Sequence, residues 1–126
     1  NQFEEDKHGF RLSSVEENSK NLDGICSVIK KHKPDASIIF TLSPIPLMAT
    51  FRPQSCITAN SISKSILRVS LDNVMTNSKK NKNIYYFPSY EITKDYFADP
   101  FMDDNRHLKK DCILEIMKVF EDSYCC

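Results

Sequence analysis

The sequence predicts an α/β fold built on a parallel sheet, and three observations carry that expectation. Two short runs, Ala36–Leu42 (ASIIFTL) and Ile84–Phe87 (IYYF), are nearly continuous in apolar, β-branched or aromatic residues, as in strands covered on both faces. Segments with apolar residues at helical spacing flank them, so the order reads helix, strand, helix, strand, helix. Strands joined by helical crossovers lie parallel, with right-handed connections.

Each element has its own local reason. Residues 1–12 are polar and mixed, a tail or connecting loop. Ser13 with Glu16, or Ser14 with Glu17, then fits a capping box, in which side chains satisfy the free amides of a helix start. Val15, Leu22, Ile25, Cys26 and Ile29 follow on one face; Lys30, Lys31, His32 and Lys33 suit the negative end of the helix dipole, and Pro34 ends the run. After the first strand, Ser43-Pro44-Ile45-Pro46 breaks the chain and Leu47–Cys56 forms a loop. A second helix is expected from about Ile57 to Met75, with Ile62, Ile66 and Val69 beside Leu67, Ser70 and Val74. Thr76–Asn83 (TNSKKNKN), with Lys79, Lys80 and Lys82, reads as a solvated loop. Pro88 ends the second strand, a short helix is expected near Tyr90–Phe97, and a last helix from Leu108 to about Asp122 places Leu108, Cys112, Ile113, Ile116, Met117 and Phe120 on one stripe. Two strands are few for a parallel sheet, and the chain opens on Asn1. The expectation is therefore the C-terminal part, residues 13–126, of a larger α/β domain.

Composition narrows the function classes. The 126 residues carry 17 Lys+Arg against 17 Asp+Glu, without the broad positive field of a nucleic-acid binder. No run approaches the length of a membrane helix, so no membrane partner is expected. With two glycines the chain has neither of the common phosphate-loop patterns. The five cysteines are odd in number and lack C-x-x-C spacing, and His8, His32 and His107 are scattered. That pattern predicts reduced thiols in a cytoplasmic setting, with no metal and no cofactor. Cys125-Cys126 reads as a frayed end.

Three blocks stand out: Ala36–Leu42 with Ser43-Pro44-Ile45-Pro46 leading into Asn60-Ser61-Ile62-Ser63-Lys64-Ser65-Ile66-Leu67-Arg68, then Tyr86-Phe87-Pro88-Ser89-Tyr90-Glu91-Ile92, and Asp103-Asp104-Asn105-Arg106-His107. Together they resemble the GSCFA family. The family is similar to the SGNH, or GDSL-type, hydrolases, so the resemblance implies a flavodoxin-like, three-layer sheet carrying a Ser-His-Asp arrangement. It covers nearly the whole chain from about residue 12. Those families hold the nucleophilic serine in the first strand's exit loop and draw oxyanion donors from the next two blocks. No Gly-Ser-Cys-Phe-Ala or Gly-Asp-Ser sequence occurs here. Leu108 also stands where the family usually has a proline opening the final helix.

What the resemblance implies is a site completed by a serine outside this chain, with His107 as base and Asp104 as its orienting carboxylate. A carboxylate three residues before an imidazole fixes the ring tautomer and stabilises the imidazolium. From spacing alone, an Asp cap and an exposed His is the simpler account; the resemblance favours the functional one. Asp103, four residues before His107, is the neighbouring carboxylate and reads as a cap or solvated charge. Both strand exits lead to the rim where parallel sheets bind ligands. Ser43, at the first exit, and Arg52, the charge in an otherwise uncharged loop, are the candidate substrate-binding residues there. An arginine fork suits an anionic group, although a surface ion pair is the plainer role. Ser43 is unsuited to act as nucleophile because Pro44 has no N–H to offer an oxyanion, and Cys56 reads as a small buried hydrophobe. The expected activity is that of an ester hydrolase or acyl (acetyl) transferase acting on a small-molecule or glycan acyl ester. The alternative is a binding or scaffold module that keeps the fold without the chemistry. The expected protein partner is the missing N-terminal half, and the unpaired strand edges favour self-association in its absence.

Overall fold

The computed structural model describes residues 4, 7, 9–77 and 83–125. The Lys79, Lys80 and Lys82 cluster, His8 and Cys126 lie outside them. Helix α1 spans Val15–His32, strand β1 Ile38–Thr41, helix α2 Cys56–Asn77 and strand β2 Ile84–Phe87. Helix α3, Ser89–Glu91, continues into a π-helical turn at Ile92–Tyr96, and helix α4 spans Lys110–Tyr124.

The two strands pair in parallel, with Ile38 opposite Ile84 and Thr41 opposite Phe87. The crossover between them is α2. The expected α/β architecture is thus present, with helices on both faces of the sheet. Alternation along the strands fixes which side each residue takes. Ile38 and Ile84 face α1 and α2, forming a core with Cys26 and Val74 to which Leu22, Ile29, Phe40 and Met75 add partly buried contacts. On the opposite face Phe87 packs edge-on against Phe120 of α4, with ring centroids 5.2 Å apart. Tyr85 meets Tyr124 similarly at 6.0 Å. The Tyr124 hydroxyl donates to the Tyr86 carbonyl at 3.1 Å.

At the start of α1, the Ser14 hydroxyl accepts from the Glu17 amide at 3.2 Å, so the second of the two capping pairs is used. The Glu17 carboxylate accepts from both terminal Arg11 guanidinium nitrogens at 2.6 and 2.7 Å, and Arg11, with a smaller part from the Ser14 backbone amide, lowers its pKa. The helix then ends near Pro34 as expected.

Three local readings need correction. Of the two rows expected on α2, Ser70 and Val74 of one are buried, with Ala59, Lys64 and Leu71, whereas Val69 of the other is 48% exposed. The face is rotated because α1 lies against the Ser70 side, where the Ser70 hydroxyl donates to the Ile66 carbonyl of its own helix and lies 3.2 Å from the Val15 carbonyl. Helix α4 starts two residues later than expected, since Leu108 is engaged in an antiparallel bridge with Phe101. The helix near Tyr90–Phe97 exists, but most of it is the wider π-helical turn.

Candidate active site

Beyond the carboxyl ends of both strands, side chains of α2 bind the exit segment of β1. The Lys64 ammonium donates to the Ser43 carbonyl at 2.5 Å. Lys64 itself is buried, and that burial pushes its pKa down from the usual lysine value. The Asn60 side-chain oxygen accepts from the Leu47 amide at 3.0 Å, while the Cys56 thiol donates to the Leu47 carbonyl at 3.2 Å. Both backbone groups of Leu47 are therefore satisfied by one helix, which sets the height of the Pro46–Met48 stretch.

The exit of β2 is tied to that of β1 by hydroxyls. Ser89 donates to the Leu42 carbonyl at 3.0 Å, so its oxygen accepts from the Thr41 hydroxyl at 2.7 Å. The Thr93 hydroxyl, on the π-helical turn, donates back to the Ser89 carbonyl at 2.8 Å. Behind this junction, Glu91 accepts from the Tyr86 hydroxyl at 2.8 Å and from Arg68 Nε at 2.8 Å. Burial, followed by the Glu91 carboxylate, drives the Tyr86 phenol well above its usual value, so it stays protonated and keeps donating.

The chain then makes a loop closed at its base. Phe101 bridges Leu108, the Met102 amide donates to the His107 carbonyl at 2.7 Å, and the Lys109 amide donates to the Pro100 carbonyl at 2.9 Å. Inside it the Asn105 amide donates to the Met102 carbonyl at 2.8 Å, and Asn105 takes a left-handed conformation (φ 53°) that its short polar side chain tolerates. Asp104 organises the rest. One of its oxygens accepts the amides of Arg106 and His107, each at 3.0 Å, and the other pairs with His107 Nδ1. The bond to His107, then the two amides, lowers the Asp104 pKa from 3.8 to about 2. Asp104 does not cap α4, whose cap position is Lys109. With Nδ1 committed, His107 Nε2 has no protein partner among the described residues, and the side chain is 64% exposed.

Asp104 and His107 share the wall of an open cleft of about 570 Å³ with Pro46, Met48, Cys56 and Asn60. A second cleft of about 320 Å³, with Tyr90 and Phe97 in its wall, adjoins it at Pro46 and Asn60. The arrangement offers an oriented imidazole with a carboxylate behind it, beside an open depression at the strand exits. An imidazole so oriented can accept a proton at Nε2. The described residues contain no cluster of three His, Cys, Asp or Glu side chains able to hold a metal, and no helix long and apolar enough to cross a membrane.

Of the residues singled out in the sequence, Asp104 and His107 are brought together, and Asp103 stays outside their bond. Ser43 is exposed, outside the walls of both clefts, and its hydroxyl accepts from the Ile45 amide at 3.3 Å. Arg52 is also absent from these walls, and its backbone amide donates to the Thr50 hydroxyl at 3.1 Å. Cys56 is only partly buried and does line the larger cleft. Asn60 and Arg106 were not picked out by spacing, although both lie inside the blocks that carry the family likeness. An arginine directly before the histidine, in a polar loop with no helix to solvate against, was the available signal.

The model of the GSCFA family matches residues 1–120 of the chain. No curated protein and no solved structure matches it.

Proposed function

The chain belongs to the GSCFA family, and from that premise we propose that it supplies the Asp-x-x-His part of a serine esterase or acyltransferase site. The observation that carries this reading is the Asp104–His107 pair, held in one closed loop on the wall of the cleft at the strand exits. The nucleophile is a serine contributed from outside these 126 residues. His107 Nε2 takes the proton of that serine as its oxygen attacks the acyl carbonyl. The same proton then passes to the departing alkoxide, leaving an acyl-serine. In the second half, His107 deprotonates water or an acceptor hydroxyl, which attacks the acyl-serine, and returns the proton to the serine. Asp104 keeps the ring in the Nδ1–H tautomer throughout and offsets the charge of the imidazolium. A small-molecule or glycan acyl ester is the substrate, and the N-terminal half of the domain is the partner that completes the sheet along an unpaired strand edge.

The test restores the residues upstream of Asn1 and follows hydrolysis of p-nitrophenyl acetate. The longer protein is expected to turn over, with His107→Ala lowering the rate by about 10²–10⁴-fold, as for loss of a general base. The 126-residue chain alone is expected to be inactive and, by sedimentation, to self-associate with rising concentration. Activity independent of His107 would refute the assignment. Hydrolysis by the 126 residues alone would return the nucleophile to Cys56 or Ser43.

A further inference from the structure

The larger cleft carries hydrogen-bond donors from two walls without acceptors to match. On the loop wall, Arg106 points one guanidinium nitrogen, Nη1, at the Met48 sulfur at 3.2 Å. A thioether is a weak acceptor for a charged donor. Arg106 Nε is buried and without any partner among the described residues, and no carboxylate pairs with the group. A guanidinium N–H left buried and unmatched is costly, so the group's place in the wall calls for an acceptor. On the facing wall, Asn60 is held by its oxygen through the Leu47 amide. Its –NH₂ is thereby oriented and has no acceptor among the described residues, and Asn60 belongs to the wall of both clefts. The acceptors nearby are already used. Asp104 spends one oxygen on two amides and the other on His107, and the Leu47 carbonyl takes the Cys56 thiol.

From this imbalance we infer that the cleft binds the oxyanion of a carboxylate- or phosphate-bearing ester, with Arg106 and Asn60 as the specificity-determining donors. Met48 is the placeholder. Its side chain is 76% exposed and flexible, and an anionic oxygen that displaces the sulfur from Nη1 replaces a weak acceptor by a charged one. The planar fork gives Arg106 this role in preference to a point charge. Arg52, the arginine that composition alone suggests, lies outside the wall. The identity of the ligand as an ester rests on the function proposed above; the anion site itself does not.

The experiment titrates the 126-residue chain with inorganic phosphate and, separately, with acetate, following the Arg106 Nε–Hε resonance. A saturable shift with either anion is expected, and the tighter of the two names the group. Arg106→Gln should weaken binding at least tenfold. Asn60→Asp keeps the acceptor for Leu47 while replacing the donor by a negative charge, and should weaken it comparably. Arg106→Lys should recover only part of the loss. An unmoved Arg106 signal, or equal affinity in Arg106→Gln, overturns the inference even if the esterase reading stands. Arg106-dependent binding in a protein whose restored form hydrolyses nothing overturns the esterase reading and leaves the anion site intact. In an active restored protein, the preference for mono-p-nitrophenyl succinate over the neutral butyrate ester, taken as a ratio of kcat/KM, should fall at least tenfold on Arg106→Gln; an unchanged ratio refutes the role.

Discussion

Val74→Ala and Val69→Ala are the same chemical change on one helix, five positions apart, and the structure separates them sharply. Val74 is 1% exposed and packs with Cys26, Ile38 and Ile84. Removing two methyl groups there forfeits about 1.6 kcal/mol of transfer free energy, at ~0.8 kcal/mol per group. The void left between α1, α2 and the sheet adds on the order of 1 kcal/mol, since cavities cost ~24 cal/mol per Å³ and relax only partly. The sum, about 2–3 kcal/mol, is a large fraction of the ~5–15 kcal/mol that holds an ordinary domain folded. With a urea slope of ~1–3 kcal/mol per molar, the unfolding midpoint should fall by roughly 1 M. Val69 is 48% exposed, and its truncation should stay within about 0.5 kcal/mol. The assay is urea unfolding followed by far-ultraviolet circular dichroism, at a protein concentration low enough to hold association constant between variants. Equal costs, or a larger one at Val69, would place the buried face of α2 on the Ile62–Ile66–Val69 row and refute the packing described above.

Other outcomes follow from the site. Asp104→Asn should transfer the ring proton of His107 from Nδ1 to Nε2, because an amide presents –NH₂ where the carboxylate accepts; ring ¹⁵N shifts read the tautomer, and an unchanged pattern would refute the orienting role. The Asp104 carboxyl should titrate with a midpoint of about 2 rather than 3.8, read from its ¹³C shift. Its folded-state value is depressed, so its contribution to stability is complete above 3.8 and is lost as pH falls towards about 2. In His107→Ala the midpoint should move part of the way back, because the two amides remain. Lys64 contributes a slope of the same sign in a higher pH window. Its folded pKa is lowered, so the charged form is disfavoured in the fold and the protein gains stability as pH rises towards 10.5. Lys64→Met should abolish that alkaline gain, seen as the difference between native and variant melting temperatures across pH 8–10; an identical slope in both would sink this reading.

Much of the architecture was legible because it depends on local and periodic signals. Pro34 and the Ser14 cap bound α1, and the runs at Ile38–Thr41 and Ile84–Phe87 are short, apolar and separated by a helix, which leaves parallel pairing as the solution. The Asp104–His107 contact was legible because three residues of chain suffice to bring the groups together. What escaped depends on distant partners. The sequence offers two adjacent rows on α2, and it is α1 that selects the one with Ser70 and Val74 over the one with Val69 and brings Lys64 into the buried set. Leu108 looks like a first helical residue until Phe101, seven positions earlier, claims its backbone. Arg52 stands out as the charge in an otherwise uncharged loop, and only the fold shows that it lies outside the cleft wall that Arg106 shares with His107.

The loop that carries Asp104 and His107 closes on its own backbone, through Phe101 with Leu108 and Met102 with His107. The heading of the imidazole is therefore decided within half a dozen residues, independently of how well α1 and α2 pack on the sheet. Sequence drift in α2 alters the cleft wall opposite the loop, while drift inside the loop alters which way the imidazole faces. These are separate degrees of freedom. Selection can tune one for stability or partner fit without disturbing the other.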